Sequence, residues 1–215
     1  MPLSSRSRWV LTVLDDRSTC SSMAESATRK ELIRVGLKAL LTNGYDGVGV
    51  GPILAEAGVP KGSFYHFFPS KEVFACAVLE AYGEHYRQNL AVLLTDPTQS
   101  PQQRLETYFA ALEQELRGEQ PLGGCLYGVV AQTLATRSPA LRKTLQQCFA
   151  LWEFNLRDAL READAAGALA PGVAADAAAA FLIEAYEGAL VRMKAEDSFA
   201  PYERFKEYGL RRLFR

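Results

Sequence analysis

Two groups of side chains in this sequence have the types and spacing to do chemistry. The first is Lys61, Gly62, Ser63, Tyr65 and His66, with Lys71 just beyond them. A cation, a hydroxyl, a phenol and an imidazole so close together can reach one stretch of a phosphate backbone and the adjoining groove edge. The second is Cys125, preceded by Gly123-Gly124, with Lys194 downstream as a cation that folding could bring to it. A thiol at a helix N-terminus beside an ammonium is held partly as thiolate, the form that reacts with electrophiles. Each group also has a structural reading. Phe64, Phe67 and Phe68 can be core aromatics among solvated lysines, and Cys125 a small buried hydrophobe. Cys76 and Cys148 read as core, and Cys20 falls in a leader segment.

Helices must hold these side chains, because the apolar spacing is helical almost throughout. Ile33, Leu37, Leu40 and Leu41 mark a helix over Thr28–Asn43 that Asn43-Gly44 ends. Gly51–Ala57 and Lys61–Phe67 read as two short helices. Phe74, Ala77, Val78, Ala81, Tyr82 and His85 predict a long helix from Lys71 to about Leu94, with Ser70 as N-cap. Ser100-Pro101-Gln102-Gln103 reads as N-cap, N1 proline and capping-box glutamine. After a loop over Gly118–Gly124 come a segment Leu126–Ala135 and a helix opened by Ser138-Pro139. That helix carries Leu141, Leu145, Cys148, Trp152, Leu156 and Ala159 on one stripe. A small-residue helix with Phe181, Leu182, Ala185, Ala189 and Met193 inward, and a short one from Pro201, complete an all-α chain.

Composition closes off other classes. Hydrophobic residues make up 48% and charged residues 23% of the 215, the balance of a folded globular chain. No apolar run approaches the roughly 20 residues of a membrane span. Four scattered cysteines without CxxC spacing and two histidines, His66 and His85, argue against structural zinc or a disulfide scaffold. No metal or cofactor is expected, and the location expected is the cytoplasm. Residues 1–71 hold nine Lys/Arg against six Asp/Glu, and residues 72–215 hold fifteen against nineteen. One face of an otherwise acidic body therefore suits a polyanion.

Gly51–Ala57 and Lys61–Phe67 join through Gly58-Val59-Pro60, a helix-turn-helix arrangement. Gly58 suits the left-handed turn and Val59 can plug the space between the helices. The string Gly58-Val59-Pro60-Lys61-Gly62-Ser63-Phe64-Tyr65-His66-Phe67-Phe68-Pro69-Ser70-Lys71-Glu72 closely resembles the recognition segment of the TetR family of bacterial transcriptional repressors. The resemblance is strong over residues 24–94. It implies a three-helix DNA-binding domain over 24–70 and a helical domain over 71–215 that dimerises and holds a ligand pocket. Residues 1–23 are then a disordered leader, with Met23 a candidate natural start. The same resemblance places Lys61 and Ser63 nearest the bases and Tyr65, His66 and Lys71 on phosphates. Gly49-Val50-Gly51 departs from it, since many members open the preceding helix with Thr or Ser.

Gly123-Gly124-Cys125-Leu126 and Gly188-Ala189-Leu190-Val191-Arg192-Met193-Lys194, followed by Ser198-Phe199-Ala200-Pro201, resemble the electrophile-responsive branch of that family. That branch includes repressors of N-ethylmaleimide reductase type and acrylate-responsive ones. The resemblance implies that Cys125 is a sensor at the start of the sixth helix and that Lys194 matches a lysine of the eighth. The partners implied are an operator in double-stranded DNA, a small-molecule or electrophile effector, and a second copy of the chain. The Leu141–Leu160 stripe with Ala185 and Ala189 is the expected dimer interface. Tyr108, Tyr127, Trp152 and Tyr186 are candidate pocket walls, each also readable as core. Glu184 and Glu187 read as solvated or interface charges. A cysteine-dependent enzyme built on Cys125 would need a nearby base, usually histidine, and both histidines lie in the N-terminal third. A helical adaptor that binds only protein would have no use for the Lys61–Lys71 cluster.

Overall fold

The computed structural model describes residues 20–118 and 124–215, with side chains of the first helix from Ala27 onward. The leader expected over 1–23 falls outside the described residues as far as residue 19. So do the side chain of Cys20 and, within the Gly118–Gly124 loop, residues 119–123 including Gly123. The chain is all-α. Its helices are α1 (Cys20–Asn43), α2 (Val50–Ala57), α3 (Lys61–Phe67), α4 (Lys71–Asn89), α5 (Pro101–Arg117), α6 (Leu126–Leu134), α7 (Pro139–Ala165), α8 (Ala175–Glu196) and α9 (Ala200–Arg204). Among the described residues the only β-type pairing is an isolated bridge between Leu169 and Phe214.

Local chemistry sets most helix boundaries. Ser70 Oγ accepts from the Val73 N–H at 3.1 Å and opens α4. Ser100 and Gln103 exchange hydrogen bonds of 3.3 and 2.9 Å as a capping box on α5. Ser138 Oγ accepts from Leu141 N–H at 3.1 Å and opens α7. Each satisfies N–H groups that the first helical turn leaves without partners. Helix α4 stops at Asn89, short of the expected Leu94, because the chain tightens into a 3-10 turn over Ala91–Thr95. Asp96 then accepts from the N–H and hydroxyl of Thr98 at 2.9 and 2.7 Å, and that turn ends the element.

The chain forms two compact units. Of the described residues, one unit holds those through His85 together with Leu126–Cys148, and the other holds those from Tyr86 to Cys125 and Phe149–Arg215. In the first, α6 packs against α1. Phe64, Phe68 and Phe74 form its aromatic core, with ring centroids 5.0–5.6 Å apart. Arg137 pairs with Asp46 at 2.7 Å, and the buried Ser138 hydroxyl donates to Glu72. Cys148 Sγ lies 4.0 Å from the Leu79 carbonyl, and burial pushes the thiols of Cys76 and Cys148 up.

In the second unit Tyr186, Tyr202 and Phe205 interlock edge to face, Phe109 meets Phe205 in the same way, and the Tyr202 hydroxyl donates to the Phe109 carbonyl at 2.7 Å. Arg104, also buried, bonds the Leu94 carbonyl at 3.0 Å and Glu162 at 2.5 Å. The expected dimer stripe needs correcting here. Leu141, Leu145, Leu156, Leu160 and Ala189 are buried within the protomer, whereas Phe181 is exposed. Helical periodicity marks an apolar face but not whether a helix of the same chain already covers it. The outward apolar residues of α7 and α8 are Leu151, Phe154, Phe181 and Val191.

Candidate nucleic-acid interface and effector site

Helix α2 ends where Gly58 enters the left-handed region, at φ 65° and ψ 29°. The Val59 N–H then reaches back to the Leu54 carbonyl at 3.0 Å, a C-terminal cap that reverses the chain into α3. Val59 is half-buried in this turn. At the other end of α2, Gly49 supplies no side-chain cap, as its departure from the family pattern implies. Phe64 is completely buried and anchors α3 against Phe68 and Phe74. With that one residue turned inward, helical geometry turns the rest of α3 outward. Lys61, Gly62, Tyr65 and His66 are exposed and Ser63 half-buried. Tyr65 stands edge-on to Phe64 at 5.4 Å, and His66 stands edge-on to Phe67 at 5.2 Å, so both rings are braced from behind.

Lys71 also has a structural role that the sequence did not announce. Its ammonium donates to the Tyr45 carbonyl at 2.5 Å and lies 4.0 Å over the Tyr45 ring. Desolvation lowers its pKa, opposed by the charge of Asp46. Lys71 therefore ties the start of α4 to the chain after α1, while Lys61 projects into solvent.

Cys125 stands immediately before α6 and is buried. The preceding Gly124 has φ 149°, a conformation that glycine tolerates and other residues do not. Three of the four aromatic candidates gather in the unit that holds Cys125. Trp152 is among the polar neighbours of Tyr108, and the Trp152 and Tyr186 rings meet edge-on at 5.5 Å. Burial above all pushes the Tyr108 and Tyr186 phenols up, and Cys125 is among the neighbouring groups that add to the shift. Tyr127 is not part of this group. It belongs to the other unit, edge-on to Tyr82 at 5.2 Å and hydrogen-bonded to Cys148.

The α8 cation expected near Cys125 is Lys194. Lys194 is exposed in the last turn of α8. The α8 side chain hydrogen-bonded to Cys125 is a carboxylate, Glu187, two turns earlier. Burial pushes the Glu187 carboxyl up to about 7, with the hydrogen bond from Cys125 acting in the opposite direction. Its spacing between Ile183 and Leu190 on a helix could have flagged it as inward-facing, whereas its charge pointed to solvent. A second acid, Glu115 of α5, is pushed up by burial and bonded to Tyr86.

An exposed recognition helix behind a glycine turn, braced by a buried aromatic core, defines a helix-turn-helix DNA-binding regulator. Comparison with known proteins gives the same class. The family described as bacterial regulatory proteins, tetR family, matches residues 32–78, and the tetracyclin repressor-like C-terminal domain matches residues 101–208. The chain is similar to the HTH-type transcriptional repressor DhaR of Mycobacterium sp. (strain GP1), 35% identical over 183 residues that cover 85% of this chain and 90% of DhaR. It superposes on a regulatory protein TetR from Rhodobacter sphaeroides with a TM-score of 0.81 and 33% identity, over 86% of this chain and 98% of that one. Against the reduced form of E. coli NemR the TM-score is 0.80 with 27% identity, over 87% and 97% of the two chains. The chain belongs to the tetR family of bacterial regulatory proteins and is a DNA-binding transcriptional repressor. Among the described residues no helix is long and apolar enough to cross a membrane.

Proposed function

We propose that this repressor acts in the cytoplasm as a homodimer on a two-half-site operator and is released when an electrophile or oxidant modifies Cys125. Its proposed role is regulation, not catalysis. Lys61 and Ser63 read base edges from α3, and Tyr65 and His66 hold phosphates. Lys71 contributes to phosphate attraction while it holds Tyr45 in place.

The observation that carries the effector reading is a buried thiol among the groups that neighbour Tyr108 and Tyr186, with Trp152 edge-on to Tyr186. An aromatic lining with a few polar groups is how helical domains take small organic molecules. The likeness to a repressor solved in a reduced form supports a signal carried by a thiol. The dimer reading rests on Leu151, Phe154, Phe181 and Val191, large apolar side chains that one copy leaves exposed. Arg161 grips Asp176 through two exposed bonds of 2.8 Å and so fastens α7 to α8.

The test is a gel shift on the DNA flanking the protein's own gene, with and without N-ethylmaleimide. Treated protein is expected to release that DNA, and Cys125→Ser to bind it and stay bound after treatment. Cys76→Ser and Cys148→Ser are expected to respond like the parent. Release that persists in Cys125→Ser returns the residue to the core and leaves a non-covalent ligand as the inducer.

A further inference from the structure

Lys71 shares its surroundings with a carboxylate. The carbonyl that its ammonium donates to, at 2.5 Å, belongs to the peptide bond joining Tyr45 to Asp46. Asp46 is thereby held close to Lys71, and its charge opposes the desolvation of that ammonium. Yet the Asp46 side chain is turned to another cation: its Oδ2 accepts from Arg137 Nη1 at 2.7 Å. Arg137 lies in the corner between α6 and α7, 91 residues along the chain. Two features bring it there without help from the ion pair. The N–H groups of Arg137 and Ser138 both donate to the Leu134 carbonyl at 2.9 Å, which folds the corner tightly. Ser138 is buried, and its hydroxyl donates to Glu72, which anchors the corner to the start of α4 beside Lys71. The fold therefore delivers a guanidinium to Asp46. Both side chains of the pair are exposed, so the pair itself adds little to stability. Its consequence lies in which cation Asp46 occupies.

We propose that Arg137, outside the helix-turn-helix, is a positioning residue for operator binding: it holds the Asp46 carboxylate off Lys71 and so leaves the Lys71 ammonium available to a DNA phosphate. This rests on the reading of Lys71 as a phosphate contact. An ammonium has three donors, so the bond to the Tyr45 carbonyl leaves donors for a phosphate oxygen. Without the Arg137 guanidinium, the cation left beside Asp46 is Lys71. A carboxylate paired with that ammonium cancels its charge before DNA arrives, and a phosphate must then displace it. The same carboxylate also stands as a like charge next to the phosphate path. Both effects are independent of base sequence, because phosphates carry none. Arg137 therefore sets how tightly the protein holds DNA and not which operator it prefers.

The experiment measures binding of the full chain to DNA flanking its own gene and to a random-sequence duplex of the same length, by fluorescence anisotropy at several salt concentrations. Arg137→Gln is expected to weaken both by roughly tenfold and to flatten the salt dependence by about one counterion per protomer, with the ratio between the two DNAs kept. A merely structural residue would not move the salt slope. The same substitution is then made in Asp46→Asn and in Lys71→Ala. There it is expected to change affinity by less than about twofold, because the carboxylate or the ammonium it acts through is gone. A full loss on replacing Arg137 in the Asp46→Asn background means that Arg137 touches phosphate itself, and overturns the proposal. So does Arg137→Gln that binds like the parent. Thermal melts check folding. If Arg137→Gln melts below the parent, its combination with Asp46→Asn decides: binding that stays weak there overturns the proposal, and recovered binding supports it. Lys71→Ala that binds both DNAs like the parent, with the same salt slope, defeats the phosphate reading of Lys71 instead, and leaves the Asp46→Asn background to judge whether Arg137 acts through Asp46.

Discussion

The ring of Phe74 fills the space that a side chain on Gly36 would need: a Cβ there would lie 2.2 Å from Phe74 Cζ. Phe74 cannot swing aside, because it is buried and wedged against Phe64 and Phe68. Gly36→Ala is therefore expected to cost about 2–3 kcal/mol through overpacking, well beyond the small helix-propensity gain. A urea melt measures it. Gly62→Ala is the contrast, since nothing lies within 4 Å of a Cβ there. It is expected to stabilise α3 by about 0.5–1 kcal/mol and to alter only DNA affinity.

Lys61 and Lys71 are expected to separate when each is replaced by alanine. Lys61→Ala loses an exposed cation, so stability stays within about 0.5 kcal/mol of the parent. Discrimination among operator variants relaxes. Lys71→Ala also removes the bond to the Tyr45 carbonyl and the ammonium over its ring. It is expected to lose about 1–2 kcal/mol of stability and to flatten the salt dependence of binding by about one counterion. Thermal melts and binding isotherms at several salt concentrations check both. Equal melts for the two variants would show that Lys71 has no structural role.

Phe154→Glu and Phe181→Glu are expected to leave the protomer folded and to separate the dimer, because both side chains are exposed in one copy. Leu156→Glu, at a fully buried position, is expected to unfold it instead. Sedimentation velocity distinguishes the outcomes: the parent at twice the 23.7 kDa chain mass and the two phenylalanine variants at that mass itself. A parent that sediments as a single chain at micromolar concentration would falsify the dimer.

Stability should fall as pH rises through the range set by Glu187. Its folded carboxyl is pushed up to about 7, above the ordinary value near 4.5, so the folded state binds more protons between those limits. The contribution is present in full below the lower value and is lost as pH rises through the upper one. It amounts to about 3 kcal/mol at most. Glu115, raised by burial, adds in the same direction. Glu187→Gln is expected to flatten the profile, melting above the parent at pH of about 8 and close to it near pH 5. A parent melting temperature that does not fall over this interval would place Glu187 in solvent.

Local chemistry made much of the fold legible from the sequence. Ser70, Ser100 with Gln103, and Ser138 announce helix starts because a hydroxyl three residues before a free N–H caps it wherever the helix ends up. Gly58 announces the turn because few other residues take its left-handed conformation at so little cost. The bounds of α3 and the outward set Lys61, Gly62, Tyr65 and His66 follow from such local rules with one inward phenylalanine. Long-range choices were not legible. Periodicity marks the apolar stripes of α7 and α8 but does not say that the chain covers them itself and leaves Leu151, Phe154, Phe181 and Val191 exposed. Tyr108, Trp152 and Tyr186 meet, and Tyr127 sits elsewhere, because helices distant in sequence happen to pack together. Glu187 is the clearest case. Its charge predicts a solvated side chain, and only the packed helices decide that it is desolvated against Cys125, with its proton affinity raised toward neutrality by the loss of water around it.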